Sequence, residues 1–148
     1  MSAKSIVILM AEDDELDYEI ISEALSKLKI VHQVKWVKDG EELMDYLNHK
    51  KKYEDKTSSP RPDLILLDLN MPKVNGFEAL QEIRKNPDLC QIPVVVLTTS
   101  TDQADIEKSY QLGANSFLQK SPNFEDFEGV VTLVGKYWFE YVHLPSQN

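Results

Sequence analysis

Polar side chains that could act together stand where short apolar runs of this sequence end. The unbroken apolar run at 64–67 leads into Asp68, and such a run is typical of a strand buried on both faces. The other polar groups are the carboxylates of Glu12 and Asp13, the hydroxyl of Thr98 and the ammonium of Lys120. If the strands are parallel, their carboxyl ends lie at one edge of the sheet and these groups can converge. Taken singly, each has a plainer explanation as a turn, a helix cap or a solvated charge.

The chemistry that suits this set is transfer of a phosphoryl group to a carboxylate. Asp68 would be the nucleophile and would form an acyl phosphate. Lys120 would pair with one phosphoryl oxygen and the Thr98 hydroxyl would donate to another, because this reaction asks the protein mainly for positioning and charge neutralisation. Mg²⁺ is the expected cation, since it is hard and prefers oxygen ligands. Its predicted ligands are Glu12, Asp13, Asp68 and the backbone carbonyl of Asn70.

Apolar and amphipathic segments alternate five times along the chain. Five strands, each followed by a helix, predict an α/β fold: a doubly wound, five-stranded parallel sheet with helices on both faces. Asp39 and Glu42 have the spacing of a capping box for the second helix, and Ser100 with Gln103 has it for the fourth. Gly113 is expected to close that fourth helix. The predicted strands cover 5–10, 32–37, 64–67, 93–97 and 115–118.

Length and composition limit the classes to which this protein can belong. A chain of 148 residues fits a single domain over 1–148, with its core at about 4–134 and a C-terminal extension at about 135–148. The net charge of −9, with arginine only at positions 61 and 84, argues against nucleic-acid binding, which needs a basic patch. One cysteine and the lack of a membrane-length apolar run predict a cytoplasmic protein without membrane contact.

The end of the chain is rich in aromatic side chains. Residues 136–144 read Lys-Tyr-Trp-Phe-Glu-Tyr-Val-His-Leu, which is more aromatic surface than one helix face can bury. Such a surface favours a protein interface, and its predicted contacts are Trp138, Phe139 and Tyr141. The alternative is that these residues close the core.

Together these motifs resemble the receiver domain of two-component response regulators over essentially the whole chain. The resemblance rests on the acid pair at 12–13, Leu-Leu-Asp-Leu-Asn-Met-Pro at 66–72, Gly76, Pro-Val-Val-Val-Leu-Thr-Thr-Ser at 93–100, and Lys120. It implies a flavodoxin-like fold and a histidine kinase as the phosphodonor. It also implies a signal carrier that catalyses its own phosphorylation and dephosphorylation, not a turnover enzyme.

The same resemblance assigns roles to further residues. Thr98 would be a switch hydroxyl that moves toward the phosphoryl group, and Phe117 falls on the family's switch aromatic position. Plain core packing explains Phe117 equally well. Asn70 and Ser100 fall on two positions that modulate the rate of dephosphorylation in the family.

A narrower group, the small response regulators of bacterial phytochromes, is similar in more detail. The shared features are Glu-Asp-Asp at 12–14, Pro-Arg-Pro-Asp at 60–63, Asn-Pro-Asp-Leu at 86–89, and Lys-Ser at 120–121. The resemblance implies a phytochrome-like histidine kinase as the partner and a homodimer formed through the last helix and the C-terminal extension. The downstream protein is left open, and so is the cis or trans state of the peptide bond after Lys120, where most receivers have proline next.

Other classes fit the residues less well. A haloacid-dehalogenase-type phosphohydrolase needs Asp-x-Asp, but Asn70 stands at the second position and cannot donate a carboxylic proton. A flavodoxin-like FMN binder needs a Ser, Thr or Gly loop after the first strand, where the acids at 12–15 would repel phosphate. A receiver kept only as a scaffold is disfavoured because every catalytic position is filled.

Overall fold

The computed structural model describes residues 5–145, and within them five strands alternate with five α-helices. A 3₁₀ turn at Lys51–Tyr53 follows the second helix, and a π-helical segment at Tyr137–Tyr141 follows the fifth. The strands are β1 (Ile6–Ala11), β2 (His32–Val37), β3 (Leu64–Leu67), β4 (Val94–Thr98) and β5 (Ser116–Gln119). The helices are α1 (Glu15–Ser26), α2 (Gly40–Leu47), α3 (Gly76–Lys85), α4 (Gln103–Gln111) and α5 (Phe124–Lys136).

The strands form one parallel sheet in the order β2-β1-β3-β4-β5. All four residues of β3 are buried, as an unbroken apolar run at the centre of a parallel sheet requires. The chain winds outward from β1 in one direction and then returns to β3 on its other side, which creates the crevice where ligands bind in such sheets. The predicted fold class is confirmed, and the site residues follow the strands that border this crevice.

Apolar side chains from the helices cover both faces of the sheet. One core cluster packs α2 and α3 against the sheet, with Leu43, Leu47 and Leu80 fully buried. The other packs α1 and α5, with Leu25 and Val131 among its buried members. Because both faces are covered, the strands are held rigidly and their carboxyl ends have fixed positions.

Two of the predicted helix boundaries are confirmed in detail, and one is wrong. Asp39 caps α2 by accepting a hydrogen bond from the backbone N–H of Glu42 at 2.7 Å. Gly113 closes α4 with φ at +105°, a conformation in which glycine carries no steric penalty. The cap of α4 is Asp102 and not Ser100, whose hydroxyl instead donates to the carboxylate of Asp105.

The segment 50–62, which connects α2 to β3, is partly bonded to the core. The Tyr46 hydroxyl donates to the Pro60 carbonyl at 2.8 Å, and Arg61 donates to the Leu47 carbonyl at 3.0 Å. Ser59 is buried. These bonds hold the loop that delivers the chain to β3.

The aromatic end of the chain is divided between core and surface. Phe139 is only 5% exposed and packs into the cluster beneath α1 and α5, so the prediction that it lies at an interface is wrong. Tyr141 is 74% exposed, and Trp138 is half-buried with its ring edge-on to Tyr137. Among residues 5–145, no helix combines the length and the apolar character that crossing a bilayer would require.

Candidate functional site

Glu12 and Asp13, the acidic residues that directly follow β1, form one side of the site. The Glu12 backbone N–H continues the ladder to the Val37 carbonyl at 3.0 Å, and the Trp36 indole N–H donates to the Glu12 carbonyl at 2.8 Å. Trp36 is itself held by stacking on Tyr18, with ring centroids 3.8 Å apart. Glu12 is therefore buried in a fixed position, while Asp13 next to it is exposed.

Asp68 lies where β3 ends and the loop to α3 begins. Its backbone N–H donates to the Ala11 carbonyl at 3.0 Å, and its Oδ1 accepts from the Asn70 N–H at 3.1 Å. This Asx turn was the plainer explanation for Asp68, and here it also fixes the direction of a buried carboxylate. At Gly76, an added Cβ would approach Leu69 Cα to 2.6 Å, so the loop can close onto α3 only with glycine there.

Carboxylate oxygens of Glu12, Asp13 and Asp68 all lie within 4.8 Å of one another. That spacing lets a single divalent cation contact all three. An oxygen-only donor set of this kind suits Mg²⁺ or Mn²⁺. The residues present therefore fit a hard divalent metal ion.

Lys120 reaches the same point from the end of β5. Its backbone N–H donates to the Thr98 carbonyl at 2.7 Å, and its side chain is buried. The Nζ atom pairs with a Glu12 carboxylate oxygen, lies 2.9 Å from Asp17 Oδ2 and lies 3.4 Å from Asp68 Oδ2. The structure thus brings together residues that are more than 100 positions apart in the sequence.

Asp17 is a member of this group that sequence reasoning missed. It lies in the first turn of α1, where the helix dipole favours acids, so its position has an ordinary explanation in the sequence. Asp17 is four residues after Asp13, and side chains in a helix tilt toward its N-terminus. This spacing could have indicated that the Asp17 side chain lies near the end of β1.

Thr98 is fully buried, and its hydroxyl faces the loop that follows Asp68. Its Oγ1 accepts from the Asn70 side-chain amide at 3.4 Å and from the Ser100 N–H at 3.5 Å. An open depression of about 310 Å³ lies over the site, and its lining includes Asn70 and Thr99 beside the acids and Lys120. There is room for a small anionic group between the carboxylates and the β4 end.

Phe117 lies further from the site than Thr98. It pairs with Val96 in the sheet register, two positions before Thr98, and its half-buried ring packs against the core on the α3 side. Its backbone N–H donates to the Tyr110 hydroxyl at 3.2 Å. Within residues 5–145 every peptide bond is trans, including the bond after Lys120.

Burial and charge shift the protonation equilibria of the site. Desolvation, followed by the negative charge of Asp68, raises the pKa of Glu12 to about 8, although Lys120 opposes the shift. Burial by itself would lower the pKa of Lys120, but the charge of Asp68 and hydrogen bonds to Glu12 and Asp17 leave that pKa above its ordinary value. The metal-free site therefore keeps its ammonium and tends to hold a proton on Glu12.

This shift predicts a pH dependence of stability. Between the ordinary Glu pKa of 4.5 and about 8, folded Glu12 holds a proton that the unfolded chain has lost. The free energy of unfolding should therefore fall as pH rises through this window, by up to about 1.4 kcal/mol per pH unit from this group. Urea unfolding in EDTA should give a shallower slope for Glu12→Gln than for the wild type. Equal slopes would contradict the prediction.

Comparison with known proteins agrees with this geometry. The model of the response regulator receiver domain matches residues 8–132, so the chain belongs to the response regulator receiver family. Response regulator Rcp1 of Synechocystis is 45% identical over 95% of this chain and 93% of its own. Among receivers of other kinds, a probable chemotaxis protein CheY of Rhizobium etli is 30% identical over 89% of this chain and 94% of its own.

Solved structures define the relationship within the family. The Mn²⁺-bound form of Rcp1 superposes with a TM-score of 0.90 over 95% of this chain and 99% of that one. The phosphorylated cyanobacterial phytochrome response regulator RcpA is 41% identical, with a TM-score of 0.92 over 97% of this chain and 100% of that one. The resemblance to phytochrome response regulators is thereby confirmed, and these relatives are signalling proteins.

Proposed function

We propose that this protein is a phosphorelay response regulator that accepts a phosphoryl group on Asp68 from a histidine kinase. The observation that carries the proposal is the convergence of the Glu12, Asp13 and Asp68 carboxylates within 4.8 Å, with Lys120 Nζ 3.4 Å from Asp68. One carboxylate is then available as nucleophile, next to a cation site and a fixed positive charge. This combination is what phosphoryl transfer requires of a protein.

Each side chain has a proposed part in the reaction. A carboxylate oxygen of Asp68 attacks phosphorus while the phosphorus–nitrogen bond of the donor phosphohistidine breaks, and the bonding pair leaves with the imidazole. Lys120 and the Thr98 hydroxyl bind phosphoryl oxygens. Glu12, Asp13, Asp68 and the backbone carbonyl of Asn70 would hold Mg²⁺, which when bound neutralises charge on the phosphoryl group.

The partners follow from the relatives and from the surface charge. A phytochrome-like histidine kinase is the proposed donor, because relatives such as RcpA are phytochrome response regulators. The net charge of −9 favours protein partners over nucleic acid, and we place this signalling in the cytoplasm. The signal would leave through the face formed by α4, β5 and α5, and Thr98 at the end of β4 would act as the switch together with Phe117 on β5.

The test is intact-mass analysis after incubation with acetyl phosphate. One phosphoryl group per chain should appear with Mg²⁺ and none with EDTA, with phosphate release limited to decay of the acyl phosphate. Multiple rapid turnovers would favour the phosphohydrolase alternative. A chain that neither gains mass nor releases phosphate with Mg²⁺ would favour the scaffold alternative.

We also propose a homodimer through α5 and the aromatic segment that follows it. Tyr141 is 74% exposed and Trp138 is half-buried, which leaves an apolar surface at the end of the domain. Tyr141→Ala should weaken self-association by about 2 kcal/mol, as expected for an aromatic anchor, when measured by sedimentation equilibrium. Tyr110→Ala is the control, since this tyrosine is 51% exposed on α4. A wild-type monomer at micromolar concentration, or a larger effect at Tyr110, would count against this interface.

A further inference from the structure

Asp17 contacts Lys120 but has no part in the function proposed above. It lies in the first turn of α1, and 23% of its side-chain surface is exposed at the mouth of the site. Its Oδ2 is 2.9 Å from Lys120 Nζ, whereas Asp68 Oδ2 is 3.4 Å from the same nitrogen. The ammonium is therefore held more closely by Asp17 than by the side chain that would carry the phosphoryl group.

The donors of Lys120 are fully engaged in this arrangement. A lysine ammonium has three N–H donors, and Glu12, Asp17 and Asp68 each lie within ion-pair distance of it. A phosphoryl oxygen can bind Lys120 only by displacing one of these carboxylates or by sharing its donor. Glu12 would be drawn to a bound cation, and Asp68 would itself carry the phosphoryl group. Asp17 has no such alternative partner among the contacts of the described residues.

The charge balance of the site leads to the same conclusion. The carboxylates of Glu12, Asp13, Asp17 and Asp68 outnumber the ammonium of Lys120 so far that a divalent cation still leaves a negative charge. A phosphoryl group is itself an anion, and charges a few ångströms apart interact strongly where protein excludes water. The Asp17 carboxylate both repels that anion and neutralises the ammonium that should attract it.

We propose that Asp17 restrains phosphorylation by competing with the phosphoryl group for Lys120. This inference rests on the proposed function, because it concerns the same reaction at Asp68. Asp17 lowers the affinity of the site for a phosphoryl group, and so sets how strongly the kinase must drive the protein into its phosphorylated state.

The test is the affinity of the Mg²⁺-loaded protein for beryllofluoride, a phosphoryl mimic, followed by ¹⁹F NMR. Asp17→Asn keeps the shape of the side chain and removes its charge, and it should bind about tenfold more tightly, the value of one charge-assisted hydrogen bond. Loss of structure cannot produce this result, because a damaged site would bind more weakly.

Glu15→Gln is the matched control. It removes the same charge from the same turn of α1, and Glu15 is exposed without an ion pair to Lys120. Its affinity should stay within about twofold of the wild type, since exposed charges are screened by water and salt. An equal gain in both variants would overturn competition for Lys120, and so would unchanged or weaker binding by Asp17→Asn. Failure of the wild type to bind beryllofluoride would instead refute the proposed function.

Discussion

Asp68→Asn should gain no phosphoryl group from acetyl phosphate and Mg²⁺ under conditions that label the wild-type chain fully. An amide has no nucleophilic carboxylate oxygen, so the acyl phosphate cannot form. The substitution nearly preserves the shape of the side chain and the Asx turn, in which the Asp68 side chain accepts from the Asn70 N–H. The loss would therefore report on chemistry and not on folding.

Asp63→Asn is the matched control, because Asp63 flanks the same strand as Asp68. Asp63 precedes β3 at its other end, is also buried, and accepts a hydrogen bond from the Val7 N–H at 2.8 Å. This variant can lose about 1–3 kcal/mol of stability, the range for a buried hydrogen-bonding group that is poorly replaced. It should nevertheless be labelled fully at temperatures where it is folded. Label that persists in Asp68→Asn would identify a different acceptor.

The sequence predicted the convergence at Asp68 because the argument depended only on topology. Once five strands are parallel, residues such as Glu12 and Lys120 that follow them must lie at one edge of the sheet. What could not be predicted was the pairing within that edge. Whether Lys120 contacts Asp17 depends on how far a long side chain reaches across the end of α1, and a spacing rule does not contain that information.

Two residues compete to cap α4, and this explains why the prediction of Ser100 as its cap was wrong. Ser100 and Asp102 are both good capping residues, and both stand near the beginning of the helix. In the structure Asp102 accepts from the Ala104 N–H, while the Ser100 hydroxyl is used by Asp105. A capping motif in the sequence thus indicates a helix start, but neighbouring acids decide which residue performs the capping.

The error at Phe139 was avoidable from the pattern alone. The buried positions Phe127, Val131 and Gly135 follow one another at intervals of four, and Phe139 is the next in that series. It therefore lies on the buried face even though the backbone widens there, with the Val142 N–H bonded to the Tyr137 carbonyl. Counting aromatic residues overestimated the free surface because their positions around the helix were not separated.

Lys120→Met should lower the free energy of unfolding by about 3–5 kcal/mol in EDTA at pH 9, where Glu12 is ionised in the wild type, the usual cost of removing one partner from a buried ion pair. Methionine fills a similar volume, so most of the loss reflects the carboxylates of Glu12 and Asp68, which are buried and lose their counter-charge. Urea unfolding followed by circular dichroism would measure the difference.

Two further conditions make this expectation specific to charge. The cost should grow as pH rises above about 8 and level off below it: burial and Asp68 raise the pKa of Glu12 to about 8, and removal of Lys120 raises that pKa further, so at lower pH Glu12 keeps its proton in both proteins. Saturating Mg²⁺ should also recover part of the loss, since a cation among the carboxylates replaces the missing ammonium. A loss that is independent of both pH and Mg²⁺ would indicate packing and contradict the argument.

Lys27→Met provides the comparison at the surface of the same protein. Lys27 pairs with Glu128 at 2.7 Å, a distance within the range of the three Lys120 ion pairs, but its side chain is 53% exposed. An exposed pair of this kind contributes little to stability, because water and salt screen it. If burial and not distance determines the value of an ion pair here, Lys120→Met must cost several times more than Lys27→Met. Comparable losses would mean that Glu12 and Asp68 are already neutral when Lys120 is absent.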